Sequence, residues 1–255
     1  MYSLNGGGGI LCGFSIGDDI LQLDLENVSI IGNTANIGAG IGALSGIITG
    51  NRLLLVDNIG PYGSAISLGE PLGLVIGDIS MSIQNSTISH NTGLLGVGMI
   101  NSAYMDAVNT IFWDNGDVEF SPLPNNDQLN LNMIYSDAED KWPGEGNINQ
   151  NPLFVNSNAN DFSLQYNSPC IDAGNPDFPL DPDGTISDMG AYYYDQSPDL
   201  VQGDLNGDYV INIVDIVILV TAILNEGYNP LGDVNSDGVN NVVDIIILVG
   251  WVLGN

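Results

Sequence analysis

Leu25-Glu26-Asn27-Val28-Ser29-Ile30-Ile31-Gly32-Asn33 opens a pattern that the following residues keep returning to. It recurs as Arg52-Leu53-Leu54-Leu55-Val56-Asp57-Asn58 and as Gln84-Asn85-Ser86-Thr87-Ile88-Ser89-His90-Asn91. The last copy is Val108-Asn109-Thr110-Ile111-Phe112-Trp113-Asp114-Asn115. The closing asparagines, Asn33, Asn58, Asn91 and Asn115, lie 25, 33 and 24 residues apart. A second unit, a glycine step leading into short apolar residues, runs between them. It is seen at Gly7-Gly8-Gly9-Ile10-Leu11, Gly38-Ala39-Gly40-Ile41-Gly42-Ala43-Leu44, Gly63-Ser64-Ala65-Ile66-Ser67-Leu68 and Gly96-Val97-Gly98-Met99-Ile100. Such a period marks a chain that stacks short units coil upon coil, each burying its neighbour's apolar face. A period near 24, with an insertion in one coil, predicts three short strands per coil. Period-2 alternation places Val28, Ile30, Ile88 and Ile111 inward. Each corner Asn is expected to adopt left-handed backbone and bond its own main chain, or to ladder with the Asn of the next coil. No helical periodicity of any length precedes residue 210, so this part is expected to be mainly β.

The pattern covers most of residues 5–120 and resembles the right-handed, pectate-lyase-like parallel β-helix. Residues 121–198 are expected to close the solenoid, through loops at Ser121-Pro-Leu-Pro and Asp137-Ala-Glu-Asp-Lys141-Trp142. The runs Asn151-Pro152-Leu153-Phe154, Ser168-Pro169-Cys170-Ile171-Asp172-Ala173-Gly174 and Asp181 to Tyr192 resemble the terminal coil of secreted bacterial β-helix proteins. That family carries interchangeable C-terminal anchoring modules. The expected first domain is therefore residues 1–198. It begins inside a repeat and shows no signal peptide after Met1, so coils are expected to be missing from its N-terminal end.

The last fifth of the chain contains a different duplication. Asp204-Leu-Asn206-Gly-Asp208-Tyr-Val210-Ile-Asn212-Ile-Val-Asp215 is followed 29 residues later by Asp233-Val-Asn235-Ser-Asp237-Gly-Val239-Asn-Asn241-Val-Val-Asp244. Both copies place oxygen side chains at loop positions 1, 3, 5, 9 and 12 and a β-branched apolar residue at 7. A hard cation takes six to eight oxygen ligands, and one tight loop supplies most of them in this spacing. The expected ligands of two Ca²⁺ ions are Asp204, Asn206, Asp208, Asn212 and Asp215, with Asp233, Asn235, Asp237, Asn241 and Asp244. Val210 and Val239 can offer only their carbonyls. Each loop runs into an apolar stretch, Ile216 to Leu224 and Ile245 to Leu253, and nothing like an entering helix precedes it.

A calcium loop with an exiting helix, twice, with Asp at position 12, resembles a type I dockerin over residues 199–255. Tyr209 departs from the family pattern, because Gly normally makes the turn at position 6. The resemblance implies calcium-dependent docking to a cohesin domain. It also implies that loop positions 10 and 11, here Ile213-Val214 and Val242-Val243, meet that partner. All four are apolar, and near-symmetry would permit two binding orientations.

Charge narrows the remaining functions. The chain has 31 acidic and 2 basic residues, Arg52 and Lys141, a formal charge of −29. Nucleic-acid binding needs Lys and Arg to displace counterions from phosphate, so it is excluded, and polyanionic substrates and anionic membranes are disfavoured. Neither apolar helix reaches the roughly 20 residues that span a bilayer. Such self-repulsion suits a saline or calcium-containing exterior, and the expected location is secreted or cell-surface. Cys12 and Cys170 are expected as two buried free thiols, with an extracellular disulfide as the alternative that one pair without local spacing supports weakly.

No catalytic set emerges. Arg52 opens an apolar strand, Lys141 sits beside Trp142, and His90 is expected as an exposed turn residue. Asp18-Asp19, and Asp57 with Asp114, are candidates for the two carboxyl groups of a hydrolase, but acids are too abundant here for proximity to carry weight. Phe112 and Trp113 flank an Asn corner, and one of them is expected in the core. Asp181-Pro182-Asp183-Gly184 with Asp188 offers a further calcium site or simply a tight turn. Three classes stay open: a polysaccharide-active enzyme brought to its substrate by the docking module, a non-catalytic adhesin or carbohydrate-binding protein, and a chain whose calcium loops only cap or anchor it.

Overall fold

A computed structural model describes residues 8–13, 20–69, 78–93, 98–100, 103–116, 120–121, 130–196, 201–206, 210–225 and 227–254. The chain divides into two compact units, Met1–Asp195 and Gln196–Asn255.

The first unit is mainly β, and the strands of its three large sheets pair in parallel. Among the described residues it contains three five-stranded sheets, and the chain visits all three in turn before returning to the first. Sheet one joins β1 (Ile10–Cys12), β4 (Ile41–Ala43), β7 (Ile66–Leu68), β10 (Gly98–Ile100) and β13 (Phe120–Ser121). Sheet two joins β2 (Gln22–Glu26), β5 (Gly46–Asn51), β8 (Ile79–Gln84), β11 (Tyr104–Val108) and β14 (Leu131–Ile134). Sheet three joins β3 (Ser29–Ile31), β6 (Leu54–Val56), β9 (Thr87–Ser89), β12 (Ile111–Trp113) and β15 (Asp137–Ala138). Each strand from β1 to β12 pairs with the strand three places on, an arrangement compatible with a parallel β-helix.

Stacking aligns like positions of successive coils, and the inward rows make the core. One row is Ile30, Leu55, Ile88, Phe112 and Ala138; another is Leu23, Ile48, Met81, Met105 and Leu131. Ile30 and Ile88 therefore face inward, and Val28 packs on the same cluster. Ile111 does not. The centre of the triplet Ile111-Phe112-Trp113 aligns with Ile30, so Phe112 fills the core and Ile111 faces the opposite side of the sheet.

The corners behave partly as the sequence predicts. Side-chain amides run from Asn33 to Asn58 (3.1 Å), Asn58 to Asn91 (2.9 Å) and Asn91 to Asn115 (3.1 Å). The left-handed residue is the one before each Asn: Gly32, Asp57, His90 and Asp114 have φ of 69°, 55°, 57° and 54°. A second ladder links Asn51, Asn85 and Asn109.

Residues beyond the coils do not merely close the stack. They turn back across the outer face of sheet three. The antiparallel pair β16 (Phe154–Asn156) and β17 (Asp161–Leu164) puts Phe162 on Leu54 and Val56. Further on, Met189 and Cys170 cover Ile111, and the Ala191 N–H donates to Thr87 Oγ1. Asp137 and Asp188 fasten this segment from inside. Asp137 accepts the Gln150 N–H, and Asp188 accepts those of Asp172 and Tyr194. Burial pushes each of these carboxyls up to about 6.

The second unit has two helices, α1 (Ile213–Leu224) and α2 (Val242–Leu253), with a 3-10 turn at Pro230–Gly232. No helix among the described residues is long and apolar enough to cross a membrane.

Candidate metal centre

Both helices of the second unit start three residues earlier than the apolar runs suggest, for a capping reason. Asn212 and Asn241, at loop position 9, are N-caps whose side chains accept the N–H of Val214 and Val243. Asp215 and Asp244, at position 12, reach back to the N–H of those same asparagines at 2.8 and 2.9 Å. These reciprocal bonds form a capping box and satisfy donors that a helix start leaves open.

Capping does not exhaust what the position-12 carboxylates do. Asp215 also accepts the N–H of Leu205 and Asn206, drawing the start of its loop onto the helix that follows. Asp244 does the same with Asn235 at 3.3 Å. Burial of Asp215 opposes its ionisation, but these backbone donors outweigh burial and hold the carboxyl below its usual range. At position 1 of the second loop, Asp233 accepts the N–H of Asp237 and Gly238 and the Tyr228 hydroxyl. Gly238, at position 6, has φ +85°, a conformation that L side chains rarely adopt. Asp237 accepts from Val239 N–H and from the Asn235 amide, while the Val239 carbonyl accepts from Asn241. In the first loop Asp208 and Tyr209 lie outside the described residues, and the Val210 carbonyl accepts from Asn212.

The two copies interlock. A Cβ built on Gly203, just before the first loop, would meet Leu248 of α2 at 2.8 Å, and one on Gly232 would meet Leu219 of α1 at 2.6 Å. Each loop thus leans on the helix of the other copy. Leu219 and Leu248 are the buried apolar residues of their helices among the described residues. That is a very small core for a folded unit.

Charge is the anomaly. Asp204, Asp215, Asp233 and Asp244 are all buried, at most 5% exposed. Yet residues 196–255 contain eight acidic side chains and no Lys, Arg or His. A buried carboxylate needs a counter-charge as well as hydrogen bonds. Among the described residues no three Asp, Glu, His or Cys side chains converge as a preformed cluster. The donor set nevertheless suits a hard divalent cation, being all oxygen, rich in carboxylate and short of internal counter-charge. No family model, curated protein or solved structure matches the chain.

The helix starts present an apolar surface in matched pairs. Ile213 and Val242 are 69% and 63% exposed, and Val214 and Val243 are each 46% exposed. Val217 with Ile246, and Leu224 with Leu253, continue the two exposed faces.

Other candidate residues separate into distinct places. Asp18-Asp19 lies outside the described residues. His90 is not exposed but half-buried, with Asp57 at 3.8 Å on one side, Asp114 at 3.3 Å on the other, and its ring edge on Phe162. Trp142 packs edge-on against Phe120, so it serves the core, and Lys141 is exposed. Asp181 to Gly184 is a turn closed by the Gly184 N–H to the Asp181 carbonyl, with Asp183 accepting from Thr185. Cys12 and Cys170 are free and buried. The Cys170 thiol, 3.4 Å from Asp137, is raised well above its usual range by burial and that carboxylate.

Proposed function

We propose that Gln196–Asn255 is a calcium-folded docking module of the dockerin kind, carried by a secreted right-handed parallel β-helix and directed at a cohesin on a scaffold or cell surface. The observation that carries this reading is four buried aspartates in a unit with no cationic side chain. Two Ca²⁺ ions would supply the missing charge, held by Asp204, Asn206, Asp208, the Val210 carbonyl, Asn212 and Asp215, and by the matching residues of the second loop. When bound, each ion provides positive charge that offsets carboxylate repulsion, and with so small a core its binding free energy becomes folding free energy.

Ile213, Val214, Val242 and Val243 are the partner surface. An exposed apolar patch generally marks an interaction site, and its duplication supports docking in either of two orientations. For the first unit, parallel connections between strands of one sheet are overwhelmingly right-handed, which supports the helical sense proposed. The β-helix is assigned to polysaccharide binding or breakdown by its resemblance to secreted proteins of that fold.

The capping boxes favour a second reading, in which Asn and Asp at positions 9 and 12 serve the helices alone and the module is a clamp within the chain. A calcium titration of the full chain, followed by calorimetry and far-ultraviolet circular dichroism, separates the two. Docking by calcium predicts two binding events with a gain of helix, lost in Asp233→Ala and Asp204→Ala. Helix content indifferent to calcium would leave the capping explanation standing. A cohesin that bound equally well to the double variant Val214→Asp, Val243→Asp would remove the partner surface.

A further inference from the structure

The turned-back segment stops short of covering sheet three completely, and a cleft opens where it ends. The cleft holds about 320 Å³. Its floor is the first two coils, with Leu54 beneath and Asn27, Ser29 and Arg52 around it. The opposite wall is Ser163 with Tyr192 and Tyr193 from the end of the segment. Both tyrosines are substantially exposed, at 43% and 37%.

Arg52 stands at an unusual place. It occupies the same corner as Asn27, Asn85, Asn109 and Tyr135 in the other coils, and all five residues have left-handed backbone, with φ of 54°, 55°, 47°, 50° and 46°. Asn tolerates that conformation far better than Arg does. Tyr135 shares that strain, so what sets Arg52 apart is a cation at the corner that lines the cleft. Arg52 makes no ion pair among the described residues, but it is near enough to Asp181 to oppose the burial that raises that carboxyl. Asp181 thus offsets its charge without occupying its donors.

We propose that this cleft binds one or two rings of a neutral saccharide. The phenol rings offer flat apolar faces for the C–H side of a pyranose. The guanidinium fork, the Asn27 amide and the hydroxyls of Ser29 and Ser163 offer donors and acceptors that match a ring of hydroxyl groups. A volume near the lower end of ligand sites suits a chain end or side branch rather than a long bound polymer. The charge of −29, with Asp181 beside the only cation of the cleft, disfavours an acidic sugar. The inference rests on the reading that the first unit handles carbohydrate, and it is independent of the docking module.

The test is isothermal titration of the full chain, in calcium, with trimers of β-linked glucose, xylose, mannose and galactose, and with trigalacturonate. One neutral trimer is expected to bind. Arg52→Asn, which suits the corner backbone, and Tyr192→Ser are each expected to weaken it by about tenfold or more, as loss of a central contact does. Tyr104→Ser, on the exposed face of sheet two, should leave it unchanged. Binding that survives both cleft variants would overturn the site while keeping the carbohydrate reading. Binding of trigalacturonate alone would overturn the ligand class, and no binding by any trimer would overturn the site and the carbohydrate reading together.

Discussion

Asn58 and Asp244 are both completely buried, one at a corner of the stacked coils and one at the start of α2. Asn58 Oδ1 accepts the N–H and amide of Asn33, and its Nδ2 donates to Asn91 Oδ1 and to the Ile30 carbonyl. An amide is donor and acceptor at once, so a column of identical side chains satisfies itself, each unit facing the complement it needs. Asp244 accepts the N–H of Asn235 and Asn241, and its charge is still unanswered. A carboxylate only accepts. Repeating it in two loops accumulates charge that no residue of the module can neutralise. The coils satisfy themselves, whereas the loops leave the charge for which a cation is proposed.

The largest expected effect follows from that difference. In excess chelator the second unit should lose the helical signal of α1 and α2 while the first unit keeps its β signal and its cooperative melt. A calcium excess of about 1,000-fold over its dissociation constant would contribute roughly 4 kcal/mol to the folded module. Asp244→Asn tightens the comparison, because it removes charge and keeps one acceptor oxygen. As a cation ligand its loss should weaken calcium binding at that loop by about 100-fold, a change of roughly 2.7 kcal/mol. If the carboxylate is only a cap, the substitution turns an NH2 toward the N–H of Asn235 or Asn241 and should lower the melt by the same small amount, about 1 kcal/mol, with or without calcium.

The reverse exchange should break the ladder. In Asn91→Asp, the oxygen replacing Nδ2 would face Asn115 Oδ1 and the carbonyls of Leu55 and Ser89. Three donor bonds become acceptor–acceptor contacts around a buried charge. The expected cost is about 3–5 kcal/mol, the range for an uncompensated buried charge. Thermal melts of the first unit should fall by about 10 °C or more.

These corners were legible in the sequence because their spacing repeats, and sheet two was legible because its strands alternate. In β5 and β8, buried residues alternate with exposed or half-buried ones, as a sheet with one wet face should. In sheet three Ile30 and Ile88 were placed correctly, and Ile111 was misread because that alternation is lost there. β6 and β9 are buried throughout, and a strand covered on both faces loses its alternation. Leu53-Leu54-Leu55-Val56 carried that signal, an unbroken apolar run, yet nothing local says what covers it. Phe162 lies more than a hundred residues further along the chain. The cleft beside Arg52 depends on the same distant contact and so was invisible to local reading. The loops show the opposite limit: the spacing of their oxygen side chains is plain in sequence, but the Asn N-caps that start each helix three residues early are a hydrogen-bond fact.

Asp137 lies between the two extremes, a single buried carboxyl with neutral partners. Its folded value of about 6 exceeds the ordinary value near 4, so the folded state holds the proton more tightly. Its contribution is complete below about pH 4 and is lost as pH rises through about 6. Asp137→Asn keeps an acceptor for Gln150 and removes the charge. It should stabilise the first unit at pH 7.5 by about 1–2 kcal/mol, and the gain should vanish near pH 4. A pH-independent difference would show that burial, not ionisation, sets the cost.

The smallest effect belongs to the row beside the ladder. Asp57, His90 and Asp114 each precede a ladder Asn, so this charged row contains its own basic group. His90→Asn fits the left-handed backbone there and removes the bridge to both carboxylates together with the Phe162 contact. The two aspartate side chains are 47% and 71% exposed, so water already does most of what His90 does. The expected loss is below about 1 kcal/mol, and salt should shrink it further. His90 and Asn91 are adjacent in the chain and stack on equivalent positions of the same coils. If the two substitutions proved equally costly, burial would not be what separates the self-sufficient column from the charged one.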